Sequence, residues 1–270
     1  MTLEKPKLSI ITATHCAPGF LERAIGSVLS QSCEDWELVI SPDDGIDYSF
    51  WEKVDSRIKV VRSEIERSGP GPTRNRGLEI ATGQYVATLD DDDTLARNFV
   101  ETVLDFLSMH DAVAVPTEYL DEDGTLIRKV GVGFDFLDIG VFARQLGSLI
   151  IVAKRDAYPC WVSGFAEDVV HACQIIDAAG GRVAMLADTS YRSTVRAAGI
   201  CATREDIDVE YASIIEGSTA DVYKNMSPDG IGEMRELFRF RRKINSRFER
   251  RANRNCGYHE FVQGLPIFTA

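Results

Sequence analysis

The stretch TRNRGLEIATGQYVATLDDDD, residues 73–93, decides the fold. Thr73 to Ala81 reads as a helix stopped by Thr82-Gly83, with the glycine as its left-handed cap residue. Gln84 to Leu89 is a β-rich apolar run that passes directly into Asp90-Asp91-Asp92-Asp93. In an open α/β sheet the ends of buried strands form the carboxyl edge where ligands bind, so the four acids are expected there.

The flanks repeat this pattern. Lys7 to Ala13 predicts a strand, and Phe20 to Gln31, apolar at 20, 21, 24, 25, 28 and 29, an amphipathic helix. Trp36 to Ser41 is a second strand closed by the turn cluster Pro42-Asp43-Asp44-Gly45, and Arg57 to Arg62 is a third. Strands alternating with helices over the first 115 residues imply a mostly parallel sheet with both faces covered. Beyond it the sequence predicts a helix over Phe99 to Met109, a strand over Ala112 to Pro116 and a hairpin over Glu118 to Arg128 centred on Asp123-Gly124. A strand over Ser148 to Ala153, a helix over Glu167 to Ala179 stopped by Gly180-Gly181, and a strand over Arg182 to Leu186 follow. Gly131 to Gln145, Gly-rich, reads as a long irregular loop and a candidate lid.

Composition narrows the function classes. Of 270 residues, 44% are hydrophobic and 27% charged, ordinary globular proportions that exclude a predominantly disordered chain. Lys and Arg number 30 against 42 Asp and Glu, a formal charge of −12, which argues against nucleic acid as a partner because such binding rests on a basic footprint. Six cysteines stand singly and four histidines lack HExxH-like spacing, so a catalytic zinc site is not expected and the thiols read as reduced. The N-terminal MTLEKPKLSIITATH has neither the cleavage site of a signal peptide nor the length of a membrane span, and a cytoplasmic location is the expectation.

Four features carry chemistry. The adjacent acids Asp90 to Asp93 repel one another unless something positive lies between them, and hard oxygen ligands suit Mg²⁺ or Mn²⁺; the alternative is a solvated helix cap. Gly69-Pro70-Gly71-Pro72 places a stiff turn, with Arg74 and Arg76, at a helix start, an arrangement that suits phosphate or is a surface pair. Asp43 ends a strand, where it accepts hydrogen bonds from a nucleoside or merely shapes a turn. Glu167 and Asp168 open an apolar helix, as a general base or as complements to the helix dipole.

In that order, LSIITATH, ELVISPDDG, TRNRGLEIATGQYVATLDDDD, FAEDVVHACQIIDAAGGRVAML and YRS resemble the family-2 glycosyltransferases, which use the nucleotide-binding α/β fold called GT-A. The likeness runs over about residues 7–195 and is most specific from Thr73 to Asp93. It implies a GT-A type, mostly parallel but mixed sheet flanked by helices, and inverting transfer of a sugar from a nucleotide-diphosphate sugar, a UDP-sugar foremost, to an acceptor hydroxyl. By position it puts Thr14, His15 and Asp43 at the nucleoside, Arg74 at the phosphates, Asp90 and Asp91 on the nucleotide-sugar, Asp92 on Mg²⁺ or Mn²⁺, and Asp168 as the base. Glu167 is the alternative base. Three departures stand out: Pro42 in the usual Asp-Asp turn, Arg97 where proline is frequent, and no histidine after Tyr191-Arg192, so that either Arg196 substitutes with a fixed charge or the closing segment differs.

The resemblance divides the chain into a catalytic domain over 1–217, with a nucleotide-sugar half at 1–115 and an acceptor half at 116–217, and a helical, basic C-terminal extension at 218–270. Acceptors typical of the family are carbohydrate, lipid-linked or small hydroxyl compounds, in surface polysaccharide or glycolipid synthesis. A sugar nucleotidyltransferase is disfavoured by the Glu167-Asp168 pair and by the absence of an N-terminal Gly-rich phosphate loop. A silent sugar-nucleotide-binding module is disfavoured because every acid the transfer requires is present. From Ile231 to Asn255 nine Arg or Lys and three Glu give +6, against −17 for residues 1–230. With Ile231, Met234, Leu237, Phe238, Ile244 and Phe248 at mostly helical spacing, that segment either packs on the acidic domain or a second copy as a homodimer, or lies peripherally on the inner face of a membrane.

Overall fold

The computed structural model describes residues 6–196, 206–218, 221–251 and 257–265. Along the chain run β1 (Leu8–Thr14), α1 (Pro18–Leu29), β2 (Trp36–Pro42), α2 (Trp51–Val54), β3 (Ile58–Val60), α3 (Pro70–Ile80), β4 (Tyr85–Thr88), β5 (Thr94–Leu95), α4 (Phe99–Leu107) and β6 (Ala112–Val115). Then come β7 (Thr117–Leu120), β8 (Leu126–Val130), β9 (Phe136–Leu137), α5 (Ile139–Gln145), β10 (Ile150–Lys154), α6 (Glu167–Ala178), β11 (Val183–Met185), β12 (Tyr191–Thr194), α7 (Ile207–Glu216), α8 (Pro228–Glu249) and α9 (Tyr258–Gln263).

Among the described residues, eight strands form a mixed sheet in the order β3-β2-β1-β4-β10-β6-β11-β9. β1 is parallel to β2 and β4, and β2 to β3, which is the parallel half expected from the alternating pattern. The other half is built around β10, antiparallel to both β4 and β6. A second sheet, β5-β12-β7-β8, holds the expected hairpin as its β7 and β8. Because successive strand residues face opposite ways, Leu8, Ile10, Leu38 and Ile40 meet Leu21, Ile25 and Phe99 on one face of the large sheet. Ile11 and Val39 join Val170, Cys173 and Phe238 on the other.

Three expectations need correction. The α3 helix begins at Pro70, not Thr73, so Pro70 and Pro72 lie in its first turn, where a missing N–H is no loss. The helix ends in an extended Ala81 rather than a left-handed glycine; Gly83 is required instead because a Cβ there would lie 2.6 Å from the backbone nitrogen of Ser9. Gly131 to Gln145 is not an irregular lid: it contains β9 and α5, Asp138 caps α5 by accepting the Val141 N–H at 2.6 Å, and Phe142 is fully buried.

The basic segment forms α8. Ser227 caps it by accepting the Gly230 N–H at 3.0 Å and donates its own hydroxyl to Asp177 at the end of α6, at 2.6 Å. Met234, Leu237 and Phe238 enter the main core, each such burial contributing about 1.5–3 kcal/mol. Arg242 forks onto Asp208 of α7, both bonds at 2.7 Å. The apolar stripe therefore packs on the rest of the chain. Residues 252–255 of the segment lie outside the described residues, as do Cys201 and Cys256; Cys16, Cys33, Cys160 and Cys173 are free thiols. No helix among the described residues is long and apolar enough to cross a membrane.

Candidate active site

Because β2, β1 and β4 are neighbours, their carboxyl ends bring Asp43, Thr14-His15 and the acidic run to one edge. The four acids there differ in their surroundings. Asp93 is 4% exposed and structural: the Tyr191 hydroxyl donates to it at 2.7 Å and the Thr194 N–H at 2.8 Å, while the Tyr191 oxygen accepts the Asp90 N–H at 3.0 Å. Burial, with Asp90 and Asp92 nearby, pushes its carboxyl far above the ordinary range. Asp91 accepts the His15 N–H at 3.2 Å, and burial, reinforced by the charges of Asp92 and Asp90, raises it to about 6.

Asp92 pairs with Arg196, yet burial and Asp90 still raise its carboxyl. Arg196 lies over the Phe20 ring, 4.9 Å from its centroid, and Arg23 flanks the same ring at 5.1 Å while donating to the Asp92 carbonyl at 3.3 Å. Beside them Cys16, Ala17, Gly19, Phe20 and Arg23 line a concavity of about 400 Å³.

Arg74 joins this edge to α6. Its Nη2 donates to Asp90 Oδ1 and its Nη1 to Glu167 Oε1, each at 2.7 Å. Arg74 is 7% exposed, and although burial opposes its charge, Asp90 and Glu167 raise its affinity for the proton above the ordinary arginine value. Burial raises Glu167 despite Arg74. Both terminal nitrogens of Arg74 are thus committed within the protein. Asp168, half-buried in the next position, accepts the hydroxyl of Ser148 on Oδ2, while no partner for Oδ1 is found among the described residues.

The nucleoside candidates divide likewise. Asp43 is 5% exposed; its carboxylate accepts the Ser68 N–H at 3.0 Å, the Ser68 hydroxyl at 2.6 Å, the Gly69 N–H at 2.9 Å and Arg76 at 2.9 Å. Burial alone would raise it, but these four bonds bring it down to about 2. Asp44, half-exposed, accepts the Cys16 N–H at 2.7 Å and the Tyr48 hydroxyl at 2.9 Å. Thr14 is buried and takes the Asp43 N–H on its carbonyl at 2.9 Å. The exposed His15 ring has Nδ1 3.0 Å from the Asp43 carbonyl.

Sequence reasoning brought Asp90, Asp91, Asp92, Arg74, Glu167 and Arg196 to one place, and the geometry joins them in a continuous set. It missed Ser148, Tyr191 and the Phe20-Arg23 pair. A tyrosine at the start of a strand or a serine before one carries no local signal of its partner.

A family model for glycosyl transferase family 2 matches residues 9–149. Over 136 residues the chain is 38% identical to the putative teichuronic acid biosynthesis glycosyltransferase TuaG of Bacillus subtilis, covering 48% of this chain and 54% of that one. Over 104 residues it is 36% identical to the GalNAc(5)-diNAcBac-PP-undecaprenol beta-1,3-glucosyltransferase of Campylobacter jejuni, covering 37% and 34%. The matched stretches therefore span about a third to a half of these relatives. Among solved structures, S. aureus TarS 1–349 in complex with UDP-GlcNAc aligns with a TM-score of 0.69 at 19% identity, over 96% of this chain and 82% of that one. The mannosyltransferase PcManGT from Pyrobaculum calidifontis, in complex with GDP-Man and Mn²⁺, aligns with a TM-score of 0.56 at 16% identity, over 93% and 77%. Likeness at such identity establishes the fold, GT-A, and the family match extends from β1 to the residue before β10, through the acidic edge. With both in hand, the chain belongs to glycosyl transferase family 2.

Proposed function

We propose that the protein is an inverting, metal-assisted glycosyltransferase that moves a sugar from a nucleotide-diphosphate sugar, of the UDP class, to the hydroxyl of a lipid-linked or polysaccharide acceptor in surface glycan synthesis. The observation that carries this reading is the Arg74 bridge, which ties the acidic edge through Asp90 to the Glu-Asp pair through Glu167. It sets a donor-side carboxylate cluster and a candidate base on one wall. The relatives, among them a putative teichuronic acid biosynthesis glycosyltransferase and an undecaprenol-linked glucosyltransferase, support the acceptor class.

The acidic edge fits a hard divalent cation. Asp90 and Asp92 offer oxygen only, and Asp91 and Asp92 are raised first by burial and then by the charges of neighbouring acids, Asp90 among them, so a cation there would be favoured. No group of three His, Cys, Asp or Glu among the described residues is disposed around one point. A hard divalent cation can be held by one or two carboxylates, its shell completed by water and phosphate. Bound at Asp92, with Asp90 beside it, Mg²⁺ or Mn²⁺ would neutralise charge on the leaving diphosphate.

The remaining roles fall to side chains. Asp168 takes the proton of the acceptor hydroxyl on Oδ1 as that oxygen attacks the anomeric carbon from the face opposite the diphosphate, which inverts the centre. Arg196 and Arg23 on Phe20 present fixed positive charge to the diphosphate. The concavity from Cys16 to Arg23, which His15 precedes in the chain, receives the nucleoside. Arg74, enclosed between two carboxylates, holds the wall together, and Asp43 fixes the loop of Ser68 and Gly69. In this reading residues 1–115 form the nucleotide-sugar half and 116–217 the acceptor half, with Arg196 of the second half reaching across to Asp92. Offering a panel of sugar nucleotides with Mn²⁺ tests the reading: release of nucleoside diphosphate supports transfer, whereas pyrophosphate, or no product from any donor and acceptor, contradicts it.

A further inference from the structure

The chain segment that delivers Ser148 to Asp168 is held unusually firmly. Helix α5 ends in a left-handed Leu146, φ 49°, and the chain turns through Gly147 before β10. A Cβ on Gly147 would lie 2.6 Å from the Tyr119 hydroxyl and 2.7 Å from Arg128 Nη2, so a side chain there would push one or both of these groups aside. The Tyr119 hydroxyl accepts the Ser148 N–H at 2.7 Å and donates to the Ser148 carbonyl at 3.4 Å, gripping that residue from both sides.

Two buried arginines hold the carbonyls that precede it. Arg128 of β8 donates to Leu146 at 2.6 Å and to Gln145 at 3.1 Å, and Arg241 of α8 donates to Gly147 at 2.9 Å. Behind them His259 of α9 accepts from Arg128 Nε at 3.1 Å and stacks on the Tyr119 ring, centroids 3.9 Å apart. Tyr119, Arg128 and Arg241 are directed at the backbone of residues 145–148, with His259 behind two of them, and the Ser148 hydroxyl then ends on Asp168 Oδ2.

We infer that Ser148 is a positioning residue for Asp168, and that Tyr119 and Arg241 fix it there, so that α8, beyond the matched residues 9–149, helps to set the base. This rests on the proposed role of Asp168. By occupying Oδ2, the serine holds the carboxylate in one rotamer and leaves Oδ1 for the acceptor hydroxyl. A base displaced by about 1 Å can lose about two orders of magnitude in rate without any change in donor binding.

The test is a set of four full-length variants, Ser148→Ala, Ser148→Thr, Asp168→Asn and the double Ser148→Ala/Asp168→Asn, assayed for turnover, donor KM and melting temperature. The expected result is a fall in kcat of about ten- to a hundredfold for Ser148→Ala with donor KM and melting unchanged, and recovery to within about threefold in Ser148→Thr, which keeps the hydroxyl. The double variant should be no slower than Asp168→Asn alone, because the serine acts only through that carboxylate. Wild-type kcat in Ser148→Ala, with Asp168→Asn inactive, overturns the positioning role and leaves the base in place. A loss that Ser148→Thr does not restore, or one that adds to that of Asp168→Asn, also overturns it. Wild-type turnover in Asp168→Asn removes the base assignment and this inference together.

Discussion

Arg74 and Glu167, 93 positions apart in the chain, meet at 2.7 Å with their side chains only 8% and 11% exposed. Two charges so far from water persist only when each compensates the other, and removal of one leaves the second buried and unpaired. Arg74→Met should therefore destabilise the protein by about 3–5 kcal/mol, measured by urea unfolding. Arg74→Lys should rescue little, since one ammonium cannot reproduce a fork between Asp90 and Glu167. A loss below about 1 kcal/mol in Arg74→Met would mean that the two carboxylates find compensation elsewhere.

Asp168→Asn should leave folding and donor affinity nearly intact while turnover falls by roughly two or more orders of magnitude, the usual contribution of a general base. Glu167→Gln should act differently, because Glu167 is occupied by Arg74: its main effect is expected on stability rather than on kcat. Comparing kcat, donor affinity by calorimetry and melting temperature for both variants decides the matter. The reverse order in kcat reassigns the base to Glu167.

Activity should require a divalent cation, and Asp92→Ala should lose the metal-dependent part of donor affinity. Without positive charge the neighbouring acids repel one another, and Arg196 alone does not bring Asp92 back to its ordinary range. The check is donor binding with Mn²⁺, with Mg²⁺ and in excess chelator. Full activity in chelator would show that arginines hold the diphosphate unaided.

The parts of this fold legible in the sequence are those whose signal is local. β1, β2 and β4 are apolar runs bounded by turn residues, and the acids after β4 follow them within one residue. Direction is not local: the apolar run of β10 reads the same whether it lies parallel or antiparallel to β4. The α5 helix was hidden among Gly131, Gly133 and Gly140, because burial of Phe142 and contact with α8, rather than propensity, hold it in place. In the site, residue types disclosed the acids, but not how they are used. That Asp43 is filled by Ser68, Gly69 and Arg76, or that Arg74 is enclosed rather than open, depends on partners that approach only after folding.

Acid should destabilise the protein through His171. The ring is 5% exposed, stacks on Trp161 with centroids 4.1 Å apart, and donates from Nε2 to the Pro159 carbonyl at 2.9 Å; burial pushes it down to about 3. Its folded pKa lies below the unfolded value of about 6.5, so the unfolded chain binds the extra proton first. Stability from this group is complete above pH 6.5 and declines by about 1.4 kcal/mol per unit below it, reaching about 2 kcal/mol at pH 5. His259, lowered to about 3 by burial and by Arg128, adds in the same window. Urea unfolding at pH 7.5 and 5.0 should show a clearly smaller difference in His171→Gln than in the parent. An equal difference would exclude His171 as the titrating group.

Truncation distinguishes a packed C-terminal helix from a peripheral membrane arm. Met234, Leu237 and Phe238 of α8 are at most 1% exposed, and Ile244 joins Leu146 and Val262 in a smaller cluster under α9. Deleting Ile231 to Ala270 should therefore yield a chain that aggregates or melts well below the parent. Phe238→Ala should cost about 3–5 kcal/mol, the range for a large aromatic removed from a core. Arg242→Ala should cost little, since its pair with Asp208 is nearly half exposed and screened by water. The contrary outcome has a distinct signature. A truncated protein that keeps its melting temperature and its activity on soluble acceptors, but no longer co-sediments with anionic vesicles, would make the helix a membrane arm and its apolar stripe a lipid-facing one.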